Sequence, residues 1–212
     1  MRNYNLADRL LANVDQALRT VFGIPLGTGR SNPAEGLAER ELSESTRRHS
    51  IRLMRVNHTG EVCAQALYQG QSLTARRNEV RVQMDRSARE ENDHLAWCSE
   101  RLTELGGHTS YLNPMWYAGS FVIGSVSGLI GDRWSLGFLA ETEHQVVRHL
   151  EGHLQRLPEI DQKSRAIIVQ MKADEAGHET AALGAGAAEL PRPIPRLMTL
   201  ASKVMTTVAA RI

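Results

Sequence analysis

The chain has 212 residues, 42% of them hydrophobic and 23% charged, with a formal net charge of +1. That length suits one domain, or one domain with an extension, and leaves room for a sizeable core. The composition excludes a disordered chain, the near-zero charge leaves no electrostatic footprint for nucleic acid, and the 5% aromatic content with few alternating segments argues against an all-β fold.

Residues 4–22, YNLADRLLANVDQALRTVF, place Leu6, Leu10, Val14, Leu18 and Val21 at helical spacing with charges between them. This amphipathic helix has two uses, packing on the main body or lying on a membrane surface. No apolar run follows Met1, so no signal peptide is expected. Residues 24–40 start rich in Gly, Pro and Ser and read as a linker. Residues 1–44 are thus an N-terminal helix and linker ahead of a domain at 45–212.

A long helix is expected from Ser45 to Ala75, with Glu61 near its middle, and a second from Glu79 to Leu105, ended by Gly106-Gly107. The stripe of the second is Met84, Ala88, Leu95, Cys98, Leu102 and Leu105, and Glu91 falls on it, where a solvated residue should not be. Cys63 and Cys98 lie inside these helices with no metal spacing, and read as buried, reduced thiols.

Residues 115–130, MWYAGSFVIGSVSGLI, carry no charge. The run is shorter than the roughly 20 residues that span a bilayer. It reads either as a buried crossover between two helical hairpins, or as a surface that enters the membrane interface or walls an apolar channel. Ser120, Gly124 and Gly128 recur at four-residue spacing within it.

A third helix is expected from Trp134 to Leu157, stopped by Pro158. Leu139, Val146, Leu150, Leu154 and Leu157 step by threes and fours only if Glu143 belongs to the stripe; Glu141 is turned away by about 200°. A fourth runs from Glu159 to Leu183, its stripe of Ile167, Ile168 and Met171 continuing through Glu175 and His178. After the proline-rich 189–195, a last helix covers Arg196–Arg211.

Two segments, Glu91-Asn92-Asp93-His94 and Glu175-Ala176-Gly177-His178, carry Glu and His three residues apart, which places both on one helix face. Each follows a lone glutamate on the preceding long helix: Glu61 precedes Glu91 by 30 positions, and Glu143 precedes Glu175 by 32. Two hairpins related by an approximate two-fold would bring all six side chains together. Four core-facing glutamates would be costly unless paired, and the basic residues lie mostly off these stripes. Two divalent cations would balance four carboxylates, and a carboxylate and imidazole donor set suits iron or manganese. A Glu from each of two helices with Glu-x-x-His from each of the other two is the pattern of ferritin-like di-metal proteins. The expected fold is therefore all-α, a ferritin-like four-helix bundle with a long crossover and extra N- and C-terminal helices. Asp174 and Glu90, each just before a Glu-x-x-His, read either as groups that orient a histidine's second nitrogen or as exposed helix acids. His149 need not face the metals, and His49, His58, His108, His144 and His153 read as surface or capping residues.

The segments MRVNHTGEVCAQALYQGQ (54–71), EENDHLAWC (90–98), LNPMWYAGSFVIG (112–124), GDRWSLGF (131–138), QMKADEAGH (170–178) and LASKVMTTVAARI (200–212) resemble the demethoxyubiquinol hydroxylase family of ubiquinone biosynthesis in its bacterial form. The resemblance implies a di-iron monooxygenase that uses O₂ as co-substrate to hydroxylate the ring of a demethoxy-polyprenyl benzoquinol. It implies two iron ions held by Glu61, Glu91, His94, Glu143, Glu175 and His178, with no other catalytic residue. Leu150 stands where some members have a tyrosine, and Gly177 where related di-iron proteins often have arginine. A polyprenyl quinol sits in the bilayer, so a peripheral position on the cytoplasmic face of the cell membrane is expected. A second copy or other quinone-pathway proteins are the expected protein partners. The competing expectation is a ferritin-like ferroxidase or peroxide-handling protein, which offers no reason for a charge-free 115–130.

Overall fold

Each long helix carries a buried stripe, and the stripes are matched in pairs by the turns between them. The structure is a computed structural model that describes residues 6–23 and 27–212, with side chains described from residue 11. Tyr4, Asn5 and the side chains of Leu6 and Leu10 lie outside that description. Among the described residues the chain forms α1 (Leu6–Phe22), α2 (Glu44–Thr74), α3 (Asn78–Glu104), α4 (Asn113–Ile130), α5 (Asp132–Arg156), α6 (Gln162–Gly184) and α7 (Pro193–Ala209), with no strand. Helices α2 and α3 pack as one hairpin, α5 and α6 as another, and α4 crosses between them along α2. This is the expected ferritin-like bundle.

Local chemistry sets the helix ends. The Ser43 hydroxyl accepts from Thr46 N at 3.3 Å to cap α2, and the Asp161 carboxylate accepts from Ser164 N at 3.1 Å to cap α6. Leu157 is extended because Pro158 follows it, which stops α5. The α2–α3 turn is tied to the α4–α5 corner: Asp132 accepts from Arg76 N at 2.9 Å and Arg77 N at 2.8 Å.

The core is built in two apolar layers. Ile51, Leu53, Met54, Trp97, Leu102, Leu150, Ile167 and Met171 fill one end of the bundle, and Tyr68, Val80, Met84, Leu136, Leu139 and Ala182 fill the other. The four long helices each cross from one layer to the other at the positions of Glu61, Glu91, Glu143 and Glu175. A third cluster, Val62, Ala66, Leu95 and Tyr117 with Ala17, Val21 and Phe121, seats α1 and α4 on the α2–α3 hairpin.

Residues 115–130 form a crossover, as one expectation had it, with two unlike faces. One face is small and buried: Gly124 lies so close to the Leu67 backbone that any side chain there would collide, and Gly70 meets the α4 backbone in the same way. The opposite face leaves Met115, Val122, Ile123, Val126, Leu129 and Ile130 exposed. Helix α1 differs from expectation. It docks through Ala17, Val21 and the buried Thr20, with Gln16 donating to Gln65 Oε1 at 3.1 Å, while Val14 and Leu18 of the predicted stripe stay exposed. The linker also differs: residues 27–36 lie against α3, with Ala34 buried in the first apolar layer.

Two arginines, Arg55 and Arg101, are buried. Arg101 is 1% exposed. Its guanidinium donates to Asp161 Oδ1 at 2.8 Å, Ser164 Oγ at 3.0 Å, and Glu39 Oε2 and Glu104 Oε2 at 2.7 Å each. Arg55 donates to the His108 carbonyl at 2.9 Å. Both are thus spoken for, and neither touches the four stripe glutamates. His58 and His153 are buried rather than superficial, and burial holds their pKa values down, to about 4 and about 2. Both cysteines are free thiols; Cys98 is buried as the sequence suggests, while Cys63 is half-buried.

Replacing Arg101 strands Asp161, the cap of α6, without its charge partner. Arg101→Met should lower unfolding free energy by about 3–5 kcal/mol, the cost of breaking a buried pair. Chemical denaturation checks this; a change below about 1 kcal/mol, the worth of a surface pair, would refute it.

Candidate metal centre

Six side chains converge midway along the bundle, from four helices. Glu61 comes from α2, Glu91 and His94 from α3, Glu143 from α5, and Glu175 and His178 from α6, and all are buried. The Glu-x-x-His spacing brings each pair together within its own helix: His94 Nδ1 lies 3.1 Å from Glu91 Oε2, and His178 Nδ1 lies 3.1 Å from Glu175 Oε2. The two pairs also meet across the bundle. His94 Nδ1 is 3.3 Å from Glu175 Oε1 and 3.6 Å from Glu61 Oε2, and His178 Nδ1 is 3.1 Å from Glu91 Oε1.

These atoms form two overlapping quartets. Donor atoms of Glu61, Glu91, His94 and Glu175 lie within 4.8 Å of one another, as do those of Glu91, Glu143, Glu175 and His178. Glu91 and Glu175 belong to both. The chemistry of the set fits divalent cations on an independent ground as well. Glu61 Oε2 and Glu143 Oε2 are buried and accept no hydrogen bond. Stranded acceptors of this kind are costly, and a cation in each quartet would satisfy both.

In the protein alone, protons must do that work. Burial, together with the neighbouring Glu91 and Glu175, pushes the Glu61 and Glu143 carboxyls well above the usual range. Burial acts on Glu91 in the same direction, but His94 and His178 outweigh it and hold that carboxyl low. Burial opposes charge on the imidazoles, yet hydrogen bonds and attraction from Glu175 and Glu91 raise His178 to about 12, and Glu91 and Asp174 raise His94.

The outer nitrogens of the histidines are held crosswise. His94 Nε2 lies 2.9 Å from Asp174 Oδ2, and His178 Nε2 lies 2.8 Å from Glu90 Oε2. Each carboxylate precedes one Glu-x-x-His and orients the histidine of the other. That leaves both Nδ1 atoms facing the cluster, the arrangement found where a carboxylate fixes a ligating imidazole.

Sequence reasoning missed Tyr68. Its buried phenol donates to Glu143 Oε1 at 2.7 Å, and its ring packs edge-on to His178 with centroids 6.2 Å apart. The signal was available: Tyr68 lies seven residues, about two turns, beyond Glu61 and shares its face. Leu150 is buried in the apolar layer. Glu141 lies outside the cluster and accepts instead from Gln145 Nε2 at 2.6 Å. His149 packs on the His153 ring at 4.0 Å, away from the six.

An antiparallel four-helix bundle with duplicated Glu/His quartets at its centre defines the ferritin-like class of carboxylate proteins. Within that class the assignment is narrower, because the family model of the ubiquinone biosynthesis protein COQ7 matches residues 48–209, and the chain belongs to that family. It is 62% identical over 208 residues to a 3-demethoxyubiquinol 3-hydroxylase of Nitrosococcus oceani, covering 98% of this chain and 97% of that one. Proteins with the same name from Nitrosomonas europaea (55% identity, 95% and 97% covered) and Cupriavidus pinatubonensis (57%, 97% and 100%) are similar over their whole lengths. The chain is accordingly a hydroxylase of ubiquinone biosynthesis.

A histidine raised to about 12 carries a second ring proton at neutral pH, and to ligate through Nδ1 it must lose that proton while keeping the one on Nε2. Metal binding should therefore release protons and weaken as pH falls. Calorimetric titration of the metal-free protein with Mn²⁺ at neutral pH should give heats that differ between buffers of different ionisation enthalpy. Equal heats would show that no proton leaves.

Proposed function

We propose that the chain hydroxylates the ring of a demethoxy-polyprenyl benzoquinol at a di-iron centre held by Glu61, Glu91, His94, Glu143, Glu175 and His178. The observation that carries this is the pair of overlapping quartets, set in a chain whose relatives are named as hydroxylases of that quinol. Oxygen and imidazole donors without thiolate favour iron or manganese over zinc. Two iron ions, when bound, supply the activation of O₂ that ring hydroxylation needs.

The protein's own residues would do the rest. Glu91 and Glu175 belong to both quartets and would help hold either ion, while Glu61 with His94 and Glu143 with His178 would help hold one ion each. Asp174 and Glu90 hold the two imidazoles with Nδ1 inward. Tyr68 holds Glu143 by one oxygen and leaves the other free. The apolar layers on both sides exclude bulk water from the cluster.

A quinol with a polyprenyl tail must be taken from a bilayer. Among the described residues no helix is long and apolar enough to cross a membrane. The exposed face of α4, including Val122 and Ile123, is suited to lie in the interface beside the α2 segment that carries Glu61. The exposed α4 face supports a peripheral position at a membrane surface; its cytoplasmic side, and residues 45–212 as the hydroxylase domain, belong to the same proposal.

Two measurements test the proposal. Purified protein loaded anaerobically should hold about two irons per chain, as the ligand set requires. Glu175→Ala and His178→Ala should each cut quinol hydroxylation by more than about 100-fold, with helical content by circular dichroism retained. Full turnover in both variants would remove these residues from the centre. Separately, Val122→Asp with Ile123→Asp should weaken binding to liposomes, and unchanged partitioning would exclude α4 as the membrane contact.

A further inference from the structure

The two halves of the cluster are alike in sequence but not in their surroundings. Residues 27–36, ahead of the family-matched region, run along α3 as a strap. The Asp93 carboxylate accepts from Thr28 N at 2.8 Å, from the Thr28 hydroxyl, and from Arg30 Nε at 3.1 Å. Any side chain on Gly27 would collide with that carboxylate, so the strap can come this close only with glycine there. Further along, Asn32 donates to Glu100 Oε2 at 2.7 Å, and Ala34 is buried against the core.

Arg30 links the strap to the cluster. Its Nη1 donates to Asp174 Oδ2 at 2.9 Å, the same oxygen that lies 2.9 Å from His94 Nε2. The guanidinium also sits over the Trp97 ring at 5.0 Å, and that ring packs against His94 with centroids 5.4 Å apart. Gln170 Nε2 holds the other oxygen of Asp174 at 2.9 Å. Asp174 is therefore fixed on both oxygens, and His94 is held both by Asp174 and by a tryptophan that Arg30 covers.

The matching position in the other half has less support. Glu90, the partner of His178, is engaged by Arg86 at 3.3 Å, a contact within one helix whose arginine is 83% exposed, against 36% for Arg30. Exposed pairs of that kind contribute little.

We infer that the strap 27–36 positions His94 through Arg30 and Asp174, and thereby makes the Glu61–His94 half of the cluster the tighter of two unequal metal sites. This rests on the reading of the six residues as metal ligands. Arg30 is a positioning residue here: it touches no ligand atom that faces the cluster, and acts through Asp174 and Trp97. The His178 half, with its looser outer partner, is the site that gains and loses its ion more readily.

The test is anaerobic titration of the metal-free full chain with Mn²⁺, read by electron paramagnetic resonance of the free ion, and with Co²⁺, read by its visible absorption. The wild-type protein should bind in two steps. Arg30→Met should weaken the tighter step about 10-fold or more, the usual effect of removing an outer partner of a ligand, and leave the weaker step unchanged. Arg30→Lys, which keeps the charge but loses the fork that reaches both aspartates, should fall between. Arg86→Met should alter neither step. Circular dichroism of Arg30→Met should match wild type, because Arg30 is half-exposed and lies outside the bundle. Two-step binding left unchanged by Arg30→Met, two equal sites in the wild-type protein, or a uniform loss at both steps would overturn the inference while leaving the metal reading intact. No binding by the wild-type protein would overturn both.

Discussion

Four carboxylates share one small volume with two imidazoles, in a bundle centre where the surrounding side chains are apolar. At such separations in a poorly screened interior, like charges repel by several kcal/mol even with generous dielectric screening. Left alone, the cluster would either capture protons or swell apart. Electrostatics favour the first response: burial and neighbouring carboxylates push Glu61 and Glu143 toward the neutral acid, while those carboxylates favour the cation at His94 and His178. The rest of the fold is arranged to tolerate that polar centre. Two apolar layers clamp it from either end, and two outer carboxylates and one phenol fix the orientation of the groups that cannot relax.

That arrangement separates stability from chemistry. The layers at 51–54 with 150–171 and at 68–88 with 136–140 supply ordinary hydrophobic burial, at about 25 cal/mol per Å² of apolar surface. The polar work that stability does require is kept away from the centre, at Arg101 with Asp161 and at Asp132 under the α2–α3 turn. The buried guanidinium of Arg101 is thus committed elsewhere. A buried arginine near Glu91 or Glu175 would neutralise the cluster permanently and remove its capacity to take up divalent ions.

Much of the bundle was legible because helical periodicity is a strong signal over 25–30 residues. Glu143 was separated from Glu141 by stripe position alone, and the structure buries the first and leaves the second half-exposed, paired with Gln145. The six-residue cluster was legible because the spacing repeats. Other features were not, and for physical reasons. The crosswise pairing of Asp174 with His94 and Glu90 with His178 depends on how two hairpins dock, which no local pattern records. The strap was read as a linker, since Gly and Pro report only that a segment is not helical, not that it packs. Arg101 was missed because one arginine on an apolar stripe is indistinguishable from a snorkelling one until its partners from α6 and residue 39 are in place. In α1, Val14 and Leu18 lie on the apolar side by period, but the seat on α2 and α4 is narrow and is filled by Ala17 and Val21.

The crosswise outer carboxylates also bear on how the enzyme assembles. The α2–α3 hairpin contributes Glu61, Glu91 and His94, yet the group that orients His94 stands on α6. The α5–α6 hairpin contributes Glu143, Glu175 and His178, yet the group that orients His178 stands on α3. Neither hairpin can finish its own half. A nascent chain with only the first hairpin folded holds an imidazole free to turn and a set of carboxylates still open to water. Both quartets are therefore complete only when the second hairpin has docked on the first.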